Sequence, residues 1–448
     1  MGARPARTPA SFAEARHGSE GGRAALAPRR LPGAPRWPHN GPMGRLETSG
    51  FYALGIPLYL ALIAIEVATA RRRGRSIYGF ANTIGNFSGG LGGVILGLFI
   101  GPWLIALYDF TFENFALVRW PEGSWVPWLL SLFLADMCYY WYHRAGHRVA
   151  GLWAIHGVHH QSEAFNISIA TRHPWMSDFY SAIFYAPLPL LGVPPTHFFV
   201  VITLISFYAL TVHSHFFNRP SLFIFVTPRS HIVHHARNPR YIGKNLGAMF
   251  TLWDRLFGTH VDLDPDDPPE LGTPAGYQTH DGALSQWLFF RDLIALARQT
   301  PRWADKLKVF TSPPGWRPPG AAPVPHPPAR PEASISPRTR AYVGLQFALT
   351  VLASIHILWL RESHPFWLLA ASAALILWGT STLGGLLDGR TGAPRRELAR
   401  LAAAAALCAW MIATPGYQLV AAVMALAMAA CALWLALDWR RFNADAAS

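Results

Sequence analysis

Twelve of the chain's nineteen histidines fall between His143 and His235. They recur in patterns: His143-Arg-Ala-Gly-His147, His156-Gly-Val-His159-His160 and His231-Ile-Val-His234-His235, with Val212-His213-Ser214-His215 between them. On a helix, residues at i, i+3 and i+4 share a face, so each cluster is expected to aim its rings at one point. Imidazole is a ligand for iron, copper, zinc and nickel. Eight or more converging rings exceed the needs of one ion, which predicts two. The residues that are missing narrow the metal. No HExxH zinc-hydrolase motif occurs, no cysteine lies in the clusters as closed zinc sites favour, and no Glu-x-x-His pair of a carboxylate di-iron bundle falls in them. Haem would need two axial histidines, not eight. An all-imidazole pair of irons fits best. Neutral rings do not offset the charge of two cations, and outer carboxylates also orient imidazoles. Asp136, two helical turns before His143, Glu163, three residues after His160, and the more distant Asp254 are the candidates. The isolated His17, His39, His260, His280, His326, His356 and His364 read as capped or solvated residues.

The elements that must carry these rings are apolar. The 448 residues are 51% hydrophobic and 14% charged, with eighteen Trp and a mean hydropathy of +0.20. This points to a membrane protein with interfacial aromatic belts. Net charge is +13, but eight Arg against two Glu in residues 1–45 supply about half of it. No basic stripe interleaves with aromatics, so nucleic acid is not an expected partner. The three cysteines form no pair motif. Residues 1–45, rich in Ala, Arg, Pro and Gly, read as a disordered tail, and residues 1–42 as an over-extended start or a tail without function. Hydropathy then predicts nine spans: Phe51–Ala70, Gly89–Tyr108, Trp125–Tyr142, Phe179–Val193, Thr196–Val212, and four more near 341–360, 366–386, 399–414 and 417–437. Arg71-Arg72-Arg73-Gly74-Arg75 sets the first loop in the cytoplasm. Counting from there, every histidine cluster emerges on the cytoplasmic side. The expected fold is all-α: a polytopic membrane helical bundle with a cytoplasmic histidine-rich di-metal cap. Its parts are a tail (1–45), a catalytic domain (46–310), a Pro-rich linker (311–340) and a four-span C-terminal segment (341–440).

Three runs carry a resemblance: Asp136 to His147, Trp153 to Glu163 with Asn166 to Arg172, and Thr227 to Asn238 with Lys244-Asn245-Leu-Gly247 and Trp253 to Thr259. Together they resemble the fatty acid hydroxylase/sterol desaturase superfamily, and within it the alkylglycerol monooxygenase-like branch, which also has a membrane extension after the histidine core. The resemblance implies an integral-membrane di-iron monooxygenase that uses O2 to hydroxylate an alkyl or acyl lipid chain, an alkylglycerol ether among the substrates. The implied metal ligands are His143, His147, His156, His159, His160, His231, His234 and His235. His213 matches the family's histidine after the membrane hairpin and is the ninth; His215 is its alternative. Asn166 and Arg172 match positions that brace the second cluster, Asn238 flanks the third, and His173 lies near the second in sequence. Chemistry on an unactivated C–H bond needs the metal and two electrons. The chain has no haem-binding HPGG, no ferredoxin cysteines and no GxGxxG between a strand and a helix. A separate electron donor is therefore expected, and the alkylglycerol branch is associated with tetrahydrobiopterin. The membrane would be the inner membrane of a bacterium or the endoplasmic reticulum of a eukaryote. Two other readings stay open: a sterol or carotenoid desaturase or hydroxylase on the same scaffold, and a non-catalytic protein for metal transport or sensing. The sequence does not specify an oligomeric state.

Overall fold

The computed structural model describes residues 42–121, 123–216, 224–324, 334–414, 416–440 and 442, with side chains described from residue 57. Residues 1–41 of the expected tail and 325–333 of the expected linker lie outside them. Fifteen α-helices are described, together with two 3-10 turns at 159–161 and 167–171. The only β pairing among the described residues is two isolated bridges, Phe225 to Phe250 and Ala236 to Leu271.

Helices α1 (Pro42–Arg72), α2 (Phe80–Phe115) and α3 (Val126–Arg148) lead into the short α4 (Ala150–His156). A broken hairpin follows: α5 (Ser177–Tyr185), α6 (Pro187–Leu190) and α7 (Pro195–Thr211). Then come α8 (Pro228–His234), α9 (Leu252–Leu256), α10 (Gly282–Arg298) and α11 (Trp303–Thr311). The C-terminal helices are α12 (Pro337–Trp359), α13 (Phe366–Leu387), α14 (Ala393–Ile412) and α15 (Gln418–Leu437).

Four helices among the described residues are long and apolar enough to cross a bilayer: α2, α12, α13 and α15. They coincide with four of the nine expected spans, those near 89–108, 341–360, 366–386 and 417–437. Pro187 and Pro189 interrupt the segment expected to run from Phe179 to Val193, because proline supplies no N–H and clashes with the preceding turn. What remains is nine residues of α5 and four of α6, well short of the roughly 20 residues that a bilayer core needs. The seventeen residues of α7 rise about 25 Å and also fall short. The segments in α1, α3 and α14 carry Glu66, Asp136 and Arg400 in or beside their apolar runs, and all three side chains are buried in the protein.

Helix α2 joins the two halves. One part of it packs with Tyr342, Val343 and Phe347 of α12 and Leu383 of α13 in the largest apolar cluster. Its glycine-rich turn receives the segment 171–175. A Cβ at Gly92 would lie 2.2 Å from the Trp175 indole, and one at Gly90 would lie 2.7 Å from the Thr171 carbonyl. A second cluster ties α3 to α6, α7 and residues 248–250, and a third seats α4 on α10. The histidine-bearing ends are thus clamped from several directions.

Candidate metal centre

Helix α3 presents His143 and His147 one turn apart at its C-terminal end. Helix α4 ends on His156, and the following 3-10 turn carries His159 and His160. His213 lies two residues past the end of α7. A capping box starts α8: the Thr227 hydroxyl accepts from the Ser230 backbone N–H, and the Ser230 hydroxyl accepts from that of Thr227. This box sets the turn on which His231 and His234 stand, with His235 at the C-cap.

The nine rings form two groups. Ligating atoms of His143, His147, His156, His160 and His234 lie within 4.8 Å of one another, and so do those of His159, His213, His231 and His235. The groups touch: the His160 and His159 rings are each 4.6 Å from that of His235. Each HxxHH motif is therefore divided, which corrects the expectation that one motif aims at one point. His156 and His160 enter the first group and His159 the second; His231 and His235 enter the second and His234 the first. On α8 the reason is helical geometry: at about 100° per residue, i+4 lies closer in angle to i than to i+3, which is a full step away, whereas the first motif crosses from the end of α4 into a 3-10 turn.

The nitrogens are spaced as a coordination sphere would space them. His143 Nε2 lies 2.9 Å from His156 Nε2, which is 3.1 Å from His160 Nε2. In the second group, His213 Nε2 is 3.2 Å from His159 Nε2, 3.0 Å from His231 Nε2 and 3.3 Å from His235 Nε2. A metal–nitrogen bond of about 2.1 Å places adjacent ligand atoms roughly 3 Å apart. On four rings the other nitrogen is committed to a backbone carbonyl. Nδ1 donates to Leu246 from His143 (2.7 Å), to Arg172 from His159 (3.3 Å), to Ala209 from His213 (2.7 Å) and to Lys244 from His234 (3.0 Å). Such a bond fixes the tautomer and leaves the Nε2 lone pair pointing inward. Nε2 of His147 and of His234 are buried with no hydrogen-bond partner. A buried acceptor without a donor costs about 1–3 kcal/mol, and a cation removes that cost. Burial holds the rings outside α3 below their ordinary pKa: His213 and His234 are lowered to about 4, and His156, His159, His160, His231 and His235 lie well below 6.5. They are neutral at pH 7, the state that ligates. The residues fit a pair of metal ions.

The outer residues expected from sequence have different fates. Asp254 accepts from the backbone N–H groups of Leu246 and Gly247 and from Thr259 Oγ1, so it holds the segment whose carbonyl orients His143. Asp136 accepts from Met249 N, Phe250 N and Trp253 Nε1 and anchors the same stretch. Neither is bonded to a ring. Arg172 is buried and donates to the Val158 and Thr279 carbonyls, to Gln161 Oε1 and to Asn86 Oδ1. Asn166 caps the 167–171 turn and donates to the Ile77 carbonyl. The remaining four are not among the grouped rings and have other partners. Glu163 is 4.0 Å from Arg237. Asn238 donates to Asp267 and Pro268. His173 Nε2 is 3.0 Å from Ser177 Oγ. The His215 ring rests near Phe165, 6.2 Å between centroids. Sequence reasoning missed Glu66. This buried carboxylate accepts from Tyr78 Oη, the Ile167 N–H, Ser214 Oγ and the His215 N–H. An acid inside an apolar run was the available signal.

A fatty acid hydroxylase family model matches residues 128–259, which hold all nine rings. Alkylglycerol monooxygenase of Danio rerio is 33% identical over 311 residues, 66% of this chain and 68% of that protein. The chain belongs to the fatty acid hydroxylase family. Alkylglycerol monooxygenase of Homo sapiens is 29% identical over 281 residues, 61% of each chain. Ornithine lipid hydroxylase OlsE of Rhizobium tropici is 29% identical over 225 residues, 48% of this chain and 67% of that one. No solved structure matches. As a family member with four helices able to cross a bilayer, the chain is an integral membrane oxidoreductase.

Proposed function

We propose that this protein is a di-iron, O2-dependent monooxygenase that hydroxylates the alkyl or acyl chain of a membrane lipid, with ether-linked alkylglycerols as the leading class. One observation carries the reading: nine imidazoles divide into groups of five and four whose ligating nitrogens converge. The alkylglycerol relatives, together with a matching lipid hydroxylase, supply the substrate class. His143, His147, His156, His160 and His234 would hold one iron, and His159, His213, His231 and His235 the other. Bound iron supplies what no side chain can, the activation of O2 for attack on a C–H bond.

The chain's own residues do the rest. Backbone carbonyls lock four of the rings in orientation. Six ligands, on the two HxxHH motifs, come from segments that are not membrane spans, so both irons sit at a membrane face. The arginines at 71–75 favour the cytoplasmic face. An apolar cavity of about 380 Å³ lies between α3 and the broken hairpin, lined by Met137, Trp141, Ile183, Phe184 and Leu188 among others. It shares α3 with His143 and His147 and offers an alkyl chain a sideways path from the bilayer. Two electrons come from a separate donor, tetrahydrobiopterin being the one to test first.

Purified protein supplied with ferrous iron should hold two irons and, with O2, a reduced donor and an alkylglycerol, give a product carrying one added oxygen by mass spectrometry. His159→Ala should abolish turnover while the protein still inserts in the membrane; full activity in that variant would end the assignment. A product that has lost two hydrogens would instead make the enzyme a desaturase, the activity named for a Leptosphaeria maculans relative, a Delta(7)-sterol 5(6)-desaturase that is 29% identical over 185 residues.

A further inference from the structure

The C-terminal helices carry no ligand, yet a continuous set of hydrogen bonds runs from the end of α13 to a ring of the second histidine group. Asp388, the C-cap of α13, accepts through Oδ1 from the His280 backbone N–H (2.9 Å) and Nδ1 (2.8 Å), and through Oδ2 from Thr279 Oγ1 (2.5 Å). Arg390 donates to Asp388 Oδ2 (2.6 Å), to Thr279 Oγ1 (2.6 Å) and to Asp281 Oδ2 (2.8 Å). Ser381, inside α13, donates to the same Asp281 oxygen (3.0 Å). The contact is close enough to exclude a side chain: a Cβ at Gly384 would lie 2.3 Å from Asp281 Cα and from the His280 carbonyl oxygen. Segment 279–281 is thus gripped on one side by α13 and the turn after it.

On its other side the same segment meets the metal centre. The Thr279 carbonyl accepts from Arg172 Nη2 at 3.0 Å. Arg172 also binds Gln161 Oε1 (2.6 Å) and the Val158 carbonyl (2.9 Å), the residues on either side of the His159-His160 pair. The Arg172 carbonyl in turn accepts from His159 Nδ1. Arg172, Asp281 and Asp388 are each buried or nearly so, so each bond is made away from bulk water, where a missing partner is costly.

We propose that Asp388 and Arg390 are positioning residues for the metal centre: the C-terminal membrane helices hold segment 279–281, which holds Arg172, which sets the His159 ring. The inference rests on the metal-binding reading above. It gives the C-terminal helices a task that none of the histidine motifs reveals. It also predicts asymmetry. His159, whose Nδ1 is bonded to the Arg172 carbonyl, belongs to the group of four, whereas the group of five takes its orienting carbonyls from Leu246 and Lys244 and meets Arg172 only through the residues on either side of the His159-His160 pair.

The test uses full-length protein in detergent, with Asp388→Asn, Arg390→Ala and, as a control in the same helices, Arg338→Ala, which removes an exposed pair with Asp438. Metal-depleted protein is titrated with Co(II), and binding is followed by its visible spectrum. Wild type and Arg338→Ala should take up two equivalents. In Asp388→Asn and Arg390→Ala one equivalent should weaken about ten-fold or more, the usual cost of losing support behind a ligand, while the other weakens less. Amide hydrogen exchange of the metal-free variants should accelerate in peptides covering 157–162 and 277–282, but not in 143–147. Two unchanged equivalents with unchanged exchange would overturn the inference and leave the metal reading standing. Equal weakening of both equivalents would overturn it too, since that marks general destabilisation. A wild type that binds no Co(II) would sink the metal reading itself; the exchange pattern would still show whether α13 restrains residues 157–162.

Discussion

At the scale of single residues, neighbours in sequence have separate jobs. His213 and His215 stand two apart, and sequence alone left either as a ligand. The structure puts His213 Nε2 among three other imidazole nitrogens and leaves the His215 ring against Phe165 and Phe216. His213→Ala is therefore expected to lose one of two bound metal ions, and His215→Ala to keep both, by metal analysis of the purified variants. The reverse result would reassign the second group. Glu66 makes a second prediction. Its two oxygens accept from four donors, two of them the hydroxyl and backbone N–H that directly follow His213. Glu66→Gln keeps the shape but turns one oxygen into a donor facing donors. Each group left unsatisfied costs about 1–3 kcal/mol, so the melting temperature should fall measurably and His213 should lose its support. An unchanged melting temperature would show that these bonds contribute nothing.

At the scale of elements, the two HxxHH motifs act as splitters. Each sends two rings to one group and one ring to the other, so shifting either turn by one residue would disturb both groups together. This arrangement needs α4 and α8 held rigidly: α4 packs on α10, and Val233 of α8 packs with Ala236, Tyr241, Val261 and Leu263. The contact of α2 with the 171–175 segment depends on an absent side chain. Gly92→Leu would drive a Cβ into the Trp175 indole, whose Nε1 donates to the Gly89 carbonyl. Overpacking of this kind costs about 1–3 kcal/mol. Thermal unfolding in detergent is expected to show that loss, whereas Gly97→Leu on the same helix, where a Cβ meets nothing within 4 Å, should not.

At the scale of the whole molecule, burying nine neutral imidazoles shapes the response to acid. The folded-state pKa of His213 and of His234 is lowered by burial to about 4, against an ordinary value of 6.5. Below pH 6.5 the unfolded chain takes up protons that the folded chain refuses, so stability falls as pH drops from 6.5 towards 4 and is insensitive to these groups above 6.5. Metal-depleted protein should show a falling melting temperature across that window. A flat profile there would mean that the rings are not buried as described.

The histidine-rich, metal-ligating character of the chain was legible in local sequence. Histidine spacing singled out the eight rings of the three clusters, because i, i+3 and i+4 repeats are a local property and need no partner to be read, while His213 was reached only through the family resemblance. The sequence also determined the all-α class and the membrane character, since apolar runs of span length are local too. The division of the rings into two groups was not legible there, because it depends on where α3, α4, α7 and α8 meet in three dimensions. The same holds for Asp136, Asp254 and Glu66, whose partners lie at least five residues away and mostly more than a hundred. The run expected from Phe179 to Val193 is broken at Pro187 and Pro189 into two short helices, since hydropathy averages over breaks that backbone hydrogen bonding cannot ignore.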